Sequence, residues 1–184
     1  MDYRTTLGSH ALVIGASTTI GEQFARQLAQ KGMNVVLVAR RQEELERVAS
    51  DIRREHRVEA RVVALDLMVD GAVDKLVAAV SDLEISLLVV NANLHKVNLF
   101  DKMDLDTKLR MIRMNTELPV RLVHTLGPPM LERGRGGIIL ISSLNCLTPL
   151  EIDSVFQGTK AFILLFGESL WAEYRRRGVK VAVT

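Results

Sequence analysis

The sequence predicts an α/β fold built on a doubly wound parallel sheet. Two observations carry that expectation. Six short β-rich runs alternate with longer stretches of helical period from one end of the chain to the other. The runs themselves are nearly unbroken Val, Ile and Leu, the composition of strands covered on both faces rather than one.

Strands are expected at His10–Ile14, Asn34–Ala39, Ala60–Ala64, 87–90, 137–141 and Val179–Val183. Helices are expected over 20–31, 42–55, 72–81, roughly 106–132, and 154–177. Gly32, Gly134 and Gly178 follow three of these and supply the usual helix stop. Pro119 and the Pro128-Pro129 pair should kink or interrupt the long fourth helix, because proline lacks an N–H and crowds the preceding turn. Right-handed crossovers between parallel strands then give a Rossmann arrangement. The 184 residues make one dinucleotide-sized domain, 1–184, with room for a real core. The chain stops directly after its sixth strand, where a doubly wound enzyme places its next ligand-facing loop. The fold is therefore expected to be C-terminally shortened.

Composition narrows the function. With 48% hydrophobic and 25% charged residues the chain reads as an ordinary soluble globular protein, expected in the cytoplasm. A formal charge of +2, with basic and acidic residues interleaved, argues against a nucleic-acid partner, which needs a clustered basic face. The densest basic run, Arg175-Arg176-Arg177, closes a helix, where cations suit the dipole. The polar stretch from Met1 to Ser9 has no apolar signal core, and no apolar run reaches a membrane span of ~18 residues. Cys146 is the only cysteine, so no internal disulfide forms. His10, His56, His95 and His124 are scattered without ligand spacing, so no metal site is expected.

The first strand runs into Ile14-Gly15-Ala16-Ser17-Thr18-Thr19-Ile20-Gly21 and then a helix. A glycine turn at that junction lets backbone N–H groups and the helix N-terminus face a pyrophosphate. The same two glycines also suit a plain tight turn with close helix–sheet packing. The second strand ends Val38-Ala39-Arg40-Arg41, without the acid that holds a ribose 2′-hydroxyl in NAD sites. A guanidinium such as that of Arg40 suits a 2′-phosphate, so the residues favour NADP(H) over NAD(H), unless the pair is only a solvated helix start.

Further landmarks follow in order: Asp66-Leu67 after strand 3, Asn91-Ala92-Asn93 after strand 4, Asn115, then Ser142-Ser143 and Lys160. Over about residues 8–184 this series resembles the short-chain dehydrogenase/reductase family, close in wording to its hydroxysteroid-dehydrogenase-like and bacterial oxidoreductase branches. The resemblance implies a cofactor set of Gly15, Ser17, Thr19, Ile20, Gly21, Arg40, Asp66, Leu67, Asn91 and Lys160, with the aspartate and leucine at the adenine ring. It also implies a proton-transfer group at Asn115, Ser143, position 156 and Lys160. There a tyrosine protonates a carbonyl, the lysine lowers its pKa and holds the nicotinamide ribose, the serine orients the substrate oxygen and the asparagine supports a water relay. Positions 156 and 160 share a helix face.

In this chain position 156 is Phe, which has no proton to give. General acid–base catalysis contributes roughly 10²–10⁴-fold, so the sequence points to an NADP(H)-binding pseudoenzyme or a catalytically impaired member of the family. The alternative is an active NADP(H)-dependent oxidoreductase acting on a carbonyl or alcohol, steroid- or lipid-like, with another proton source. Thr19 stands in place of the turn's middle glycine, where a Cβ crowds a phosphate or opposes a positive φ. The long fourth and fifth helices resemble the family's dimer surface, and self-association is expected.

Overall fold

The computed structural model describes residues 3–184. Six strands form one parallel sheet in the order β3-β2-β1-β4-β5-β6. They are β1 (His10–Ile14), β2 (Asn34–Ala39), β3 (Ala60–Ala64), β4 (Ile85–Val90), β5 (Gly136–Leu140) and β6 (Val179–Val183). Strand order reverses between β1 and β4, which makes the crevice at their carboxyl ends the switch point where doubly wound sheets take ligands.

Why the strands are apolar throughout is visible in the core. Side chains alternate across a strand, so β1 sends Leu12 and Ile14 to one face and Ala11 and Val13 to the other. On the first face they meet α4 (Ala72–Ala79), α6 (Leu118–Arg133) and α7 (Ser154–Tyr174) through Leu76, Leu122, Met130 and Ile163. On the second they meet α2 (Thr19–Gln30) and α3 (Gln42–His56) through Ala25, Leu28, Leu45 and Ile52. In the inner strands a polar residue at either parity would be buried, hence their nearly unbroken apolar runs, while the edge strand β6 exposes Lys180 and Ala182.

Differences from the expected elements are local. A short helix, α1 (Tyr3–Thr6), precedes β1, and β4 and β5 each begin slightly earlier than their apolar runs suggest. The long fourth helix is three pieces: α5 (Leu105–Ile112), a π-helical turn (Arg113–Glu117) and α6. Pro119 sits in the first turn of α6 and removes the donor owed to the preceding turn, which the wider π turn absorbs. Pro128 and Pro129 do not interrupt α6. Both lie on the exposed side of the helix. A 3₁₀ turn (Leu144–Leu147) follows β5, and a second (Arg175–Arg177) ends the last helix early. Among the described residues no helix is long and apolar enough to cross a membrane.

Candidate active site

The turn after β1 is held by backbone as much as by side chains. Gly15, at φ +73°, donates to the Val38 carbonyl at 2.8 Å, and a Cβ there would strike the Asn91 carbonyl. A Cβ on Gly21 would strike the Gly15 carbonyl, so these two positions admit only glycine without rearrangement. Thr18 caps α2: its Oγ1 accepts from the Gly21 amide at 3.2 Å and donates to the Gly15 carbonyl at 2.9 Å. Asn91, at the end of β4, donates from Nδ2 to Thr18 Oγ1 at 2.7 Å and so ties the turn to the neighbouring strand. Thr18 carries this lock, although no landmark in the sequence singled it out.

Gly15, Ser17, Arg40, Asp66, Leu67 and Asn91 line one groove over the switch point, together with Arg41. The Asp66 carboxylate accepts from the Met68 amide at 3.0 Å. Arg41 reaches back to donate to the Ser17 carbonyl at 3.0 Å and pairs with Glu44, while Arg40 is exposed at the groove's rim. Thr19 and Ile20 stand apart from these residues. They form the start of α2 and border a separate depression with Gln23, Phe24 and Gln27. Thr19 has no positive φ, so the branched side chain is unstrained there. The opening amides of α2 have no backbone partner within the helix, as in any helix, and that of Gly21 is taken by the Thr18 cap. A groove that joins such a helix end to a guanidinium pair fits a dinucleotide with its pyrophosphate over the glycines.

The four positions that the family resemblance assigns to proton transfer lie outside the groove's lining. Asn115, fully buried in the π turn, donates to the Leu94 carbonyl (2.9 Å) and to Thr159 Oγ1 (3.1 Å) and accepts from the Leu94 amide (2.8 Å). Its amide group is thereby committed to holding the 93–95 loop against α7. Ser143 Oγ accepts from the Asn145 amide at 3.2 Å at the head of the 3₁₀ turn. Ser142 donates to the Lys160 carbonyl at 2.7 Å. Lys160 Nζ donates to the Ile141 carbonyl at 3.1 Å and lies 5.5 Å from the centre of the Phe156 ring. Burial without a carboxylate partner pushes its pKa down to about 8.

Phe156 is 5% exposed, and its ring is covered by a residue that the sequence gave no reason to place here. The imidazole of His95 stacks on it, centroids 3.9 Å apart and planes 25° from parallel. His95 Nε2 is 2.8 Å from a carboxylate oxygen of Asp153, itself 6% exposed. The second oxygen of Asp153 accepts from Asn145 Nδ2 at 3.5 Å. His95 and Asp153 are 58 residues apart, a separation with no periodic or motif signal.

The comparisons with known proteins match this geometry. A very-long-chain 3-oxoacyl-CoA reductase of Macaca fascicularis is 34% identical over 179 residues, covering 95% of this chain. The chain spans only 57% of that relative's length. A solved 7beta-hydroxysteroid dehydrogenase superposes with a TM-score of 0.95 at 30% identity, over 100% of this chain and 71% of the other. A short-chain dehydrogenase from Sphingobium yanoikuyae in complex with NADPH gives a TM-score of 0.90 at 28% identity, over 95% and 69%. Residues 9–184 match the short chain dehydrogenase family. With the glycine turn, switch-point groove and buried Lys160 all in place, the chain belongs to the short-chain dehydrogenase family of nicotinamide-dependent oxidoreductases.

Proposed function

We propose that the chain binds NADP(H) in preference to NAD(H) and that, with phenylalanine at 156, its carbonyl or alcohol chemistry is impaired. The arginine pair at the end of β2 carries the cofactor preference. Both Arg40 and Arg41 border the groove, and no carboxylate borders it at the end of β2. Gly15, Gly21 and the head of α2 would hold the pyrophosphate, Asp66 and Leu67 the adenine, and Lys160 the nicotinamide ribose. When bound, the reduced nicotinamide supplies hydride to a carbonyl carbon. What the chain must supply is a proton, and residue 156 has none.

Titration of nicotinamide fluorescence checks the first half. NADPH should bind at least ~10-fold more tightly than NADH, and Arg40→Ala with Arg41→Ala should remove most of that difference, as expected for charged hydrogen bonds to a phosphate. Equal affinity for both nucleotides would refute the preference. For the second half, Phe156→Tyr should raise NADPH oxidation on a ketone panel well above wild type. Fast wild-type turnover that Lys160→Ala abolishes would overturn the impairment.

A second reading, an active enzyme for bulky apolar substrates, rests on the exposed apolar side chains of the two segments that hold His95 and Ser143. Val97, Leu99 and Phe100 follow the first, and Leu144, Leu147 and Leu150 follow the second. They suit the acyl or steroid skeletons named for the relatives. Exposed Leu105, Leu109, Ile112 and Val120 fall at helical spacing along the α5–α6 stretch, and Phe162 and Leu165 are exposed on α7. We assign this face to self-association. Light scattering should show a dimer, and Leu109→Glu with Leu165→Glu a monomer.

A further inference from the structure

We infer that His95, held by Asp153, is the general acid of this site and occupies the role that the missing phenol leaves open. The inference rests on the cofactor-binding reading above and goes beyond it. Three observations carry it. The first is placement: the imidazole lies flat on the Phe156 ring at 3.9 Å, against the side chain on which the family's tyrosine would carry its hydroxyl.

The second is what Asp153 forgoes. It stands at the N-cap of α7, where an aspartate ordinarily accepts an amide of the first helical turn. Its side chain makes no such cap bond. One oxygen is spent on His95 Nε2 at 2.8 Å and the other on Asn145 Nδ2. A buried carboxylate turned from its own helix toward a ring nitrogen orients that ring and neutralises it when it is charged, as the carboxylate does in histidine-based proton transfer.

The third is access. With Nε2 committed to Asp153, Nδ1 has no partner among the described residues, and the side chain is 37% exposed. When the ring carries both protons, the one on Nδ1 meets no acceptor among those residues and is open to a ligand. Other charged groups around it are Lys160 beyond Phe156, and Lys96, its chain neighbour, which borders a small depression with Asp153. Neither competes as an acceptor. The step balances simply. As the carbonyl carbon receives hydride from reduced nicotinamide, the C=O π pair moves to oxygen, and the Nδ1–H bond of the imidazolium breaks to form the new O–H. The neutral imidazole left on Asp153 is reprotonated by water.

Two measurements test this, one of them without nucleotide. In the nucleotide-free protein, proton NMR of ¹⁵N-histidine-labelled material should show the His95 Nε2–H at low field, and Asp153→Asn should abolish it. In the loaded protein, NADPH oxidation with a ketone should be slow but measurable. His95→Gln should lower the rate about 10²-fold, while NADPH affinity stays within twofold. Adding Phe156→Tyr to His95→Gln should restore turnover, which shows that the variant is folded and its site usable. Equal rates for wild type and His95→Gln would overturn the assignment, as would intact NADPH binding with no turnover at all. Failure to bind NADPH would instead sink the cofactor reading and this inference with it.

Discussion

Replacing Lys160 by methionine should stabilise the protein near neutral pH while weakening its hold on the cofactor. The side chain is 2% exposed, and its ammonium contacts a backbone carbonyl rather than a carboxylate. Burial lowers its pKa from 10.5 to about 8. At about 1.4 kcal/mol per pKa unit, the buried cation costs the fold about 3 kcal/mol. Methionine matches the stem and carries no charge, but it leaves the Ile141 carbonyl without its donor, a loss of roughly 1–3 kcal/mol. The net gain for Lys160→Met at pH 7 is then on the order of 1 kcal/mol. The sign of the pH dependence is sharper than this difference. Below about pH 8 the lysine is protonated in both folded and unfolded chains, and the full cost is present. Between about 8 and 10.5 the folded lysine sheds its proton while the unfolded one keeps it, so wild-type stability recovers with rising pH. Urea unfolding of both proteins at pH 7 and pH 10 isolates this group, since every other titration is common to the pair. Wild type should gain about 2–3 kcal/mol on the variant across that interval. A pH-independent difference, or a wild type that loses ground as pH rises, would refute the reasoning.

Two glycine replacements should act with opposite sign. Gly21→Ala drives a Cβ into the Gly15 carbonyl, and calorimetric titration should find NADPH affinity lower by at least ~10-fold and stability lower by about 1–3 kcal/mol. Gly158→Ala meets open space on the exposed side of α7 and should stabilise the helix by about 0.5–1 kcal/mol with no change in NADPH affinity. Asn115→Ala strands both backbone groups of Leu94 and should cost about 2–3 kcal/mol, read as faster hydrogen exchange at the Leu94 amide.

Much of the sheet was legible because its inner strands are buried on both faces and its edge strands, β3 and β6, are still rich in Val and Ala. β1, β2, β3 and β6 begin and end where their apolar runs do. Gly15 and Gly21 were legible for a different reason: a turn that admits no Cβ at two backbone contacts restricts residue type outright. The helix ends were less so. Pro128 and Pro129 looked like breakers, yet whether a proline stops a helix depends on where its orphaned carbonyl points. That is a property of the packed surface. The π turn at Asn115 came from a proline further along together with tertiary demand for a buried amide at Leu94, and neither is local to residues 113–117. His95 was invisible in principle, since its partner lies 58 residues away and its neighbour, Phe156, signals only an absence.

The two departures from the family pattern, Thr19 and Phe156, fall on separate physical systems. Thr19 lies in the first turn of α2 with ordinary helical backbone, and the turn's geometry depends instead on Gly15, Gly21, Thr18 and Asn91, all of which remain engaged. Phe156 belongs to the other end of the crevice, where its ring is buried under His95 and flanked by Lys160. A change at one end therefore says little about the other. Lys160 presses the argument further. A buried ammonium without a carboxylate is a standing destabilisation of about 3 kcal/mol, and packing alone would be served better by an apolar residue. Groups held in that condition in a cleft are the signature of a site under functional demand. Asp153 gives up its helix cap to hold a histidine instead. The arrangement around Phe156 is thus costly and polar. On the proposed reading, that is what a polar site would keep after losing one hydroxyl and not the groups around it.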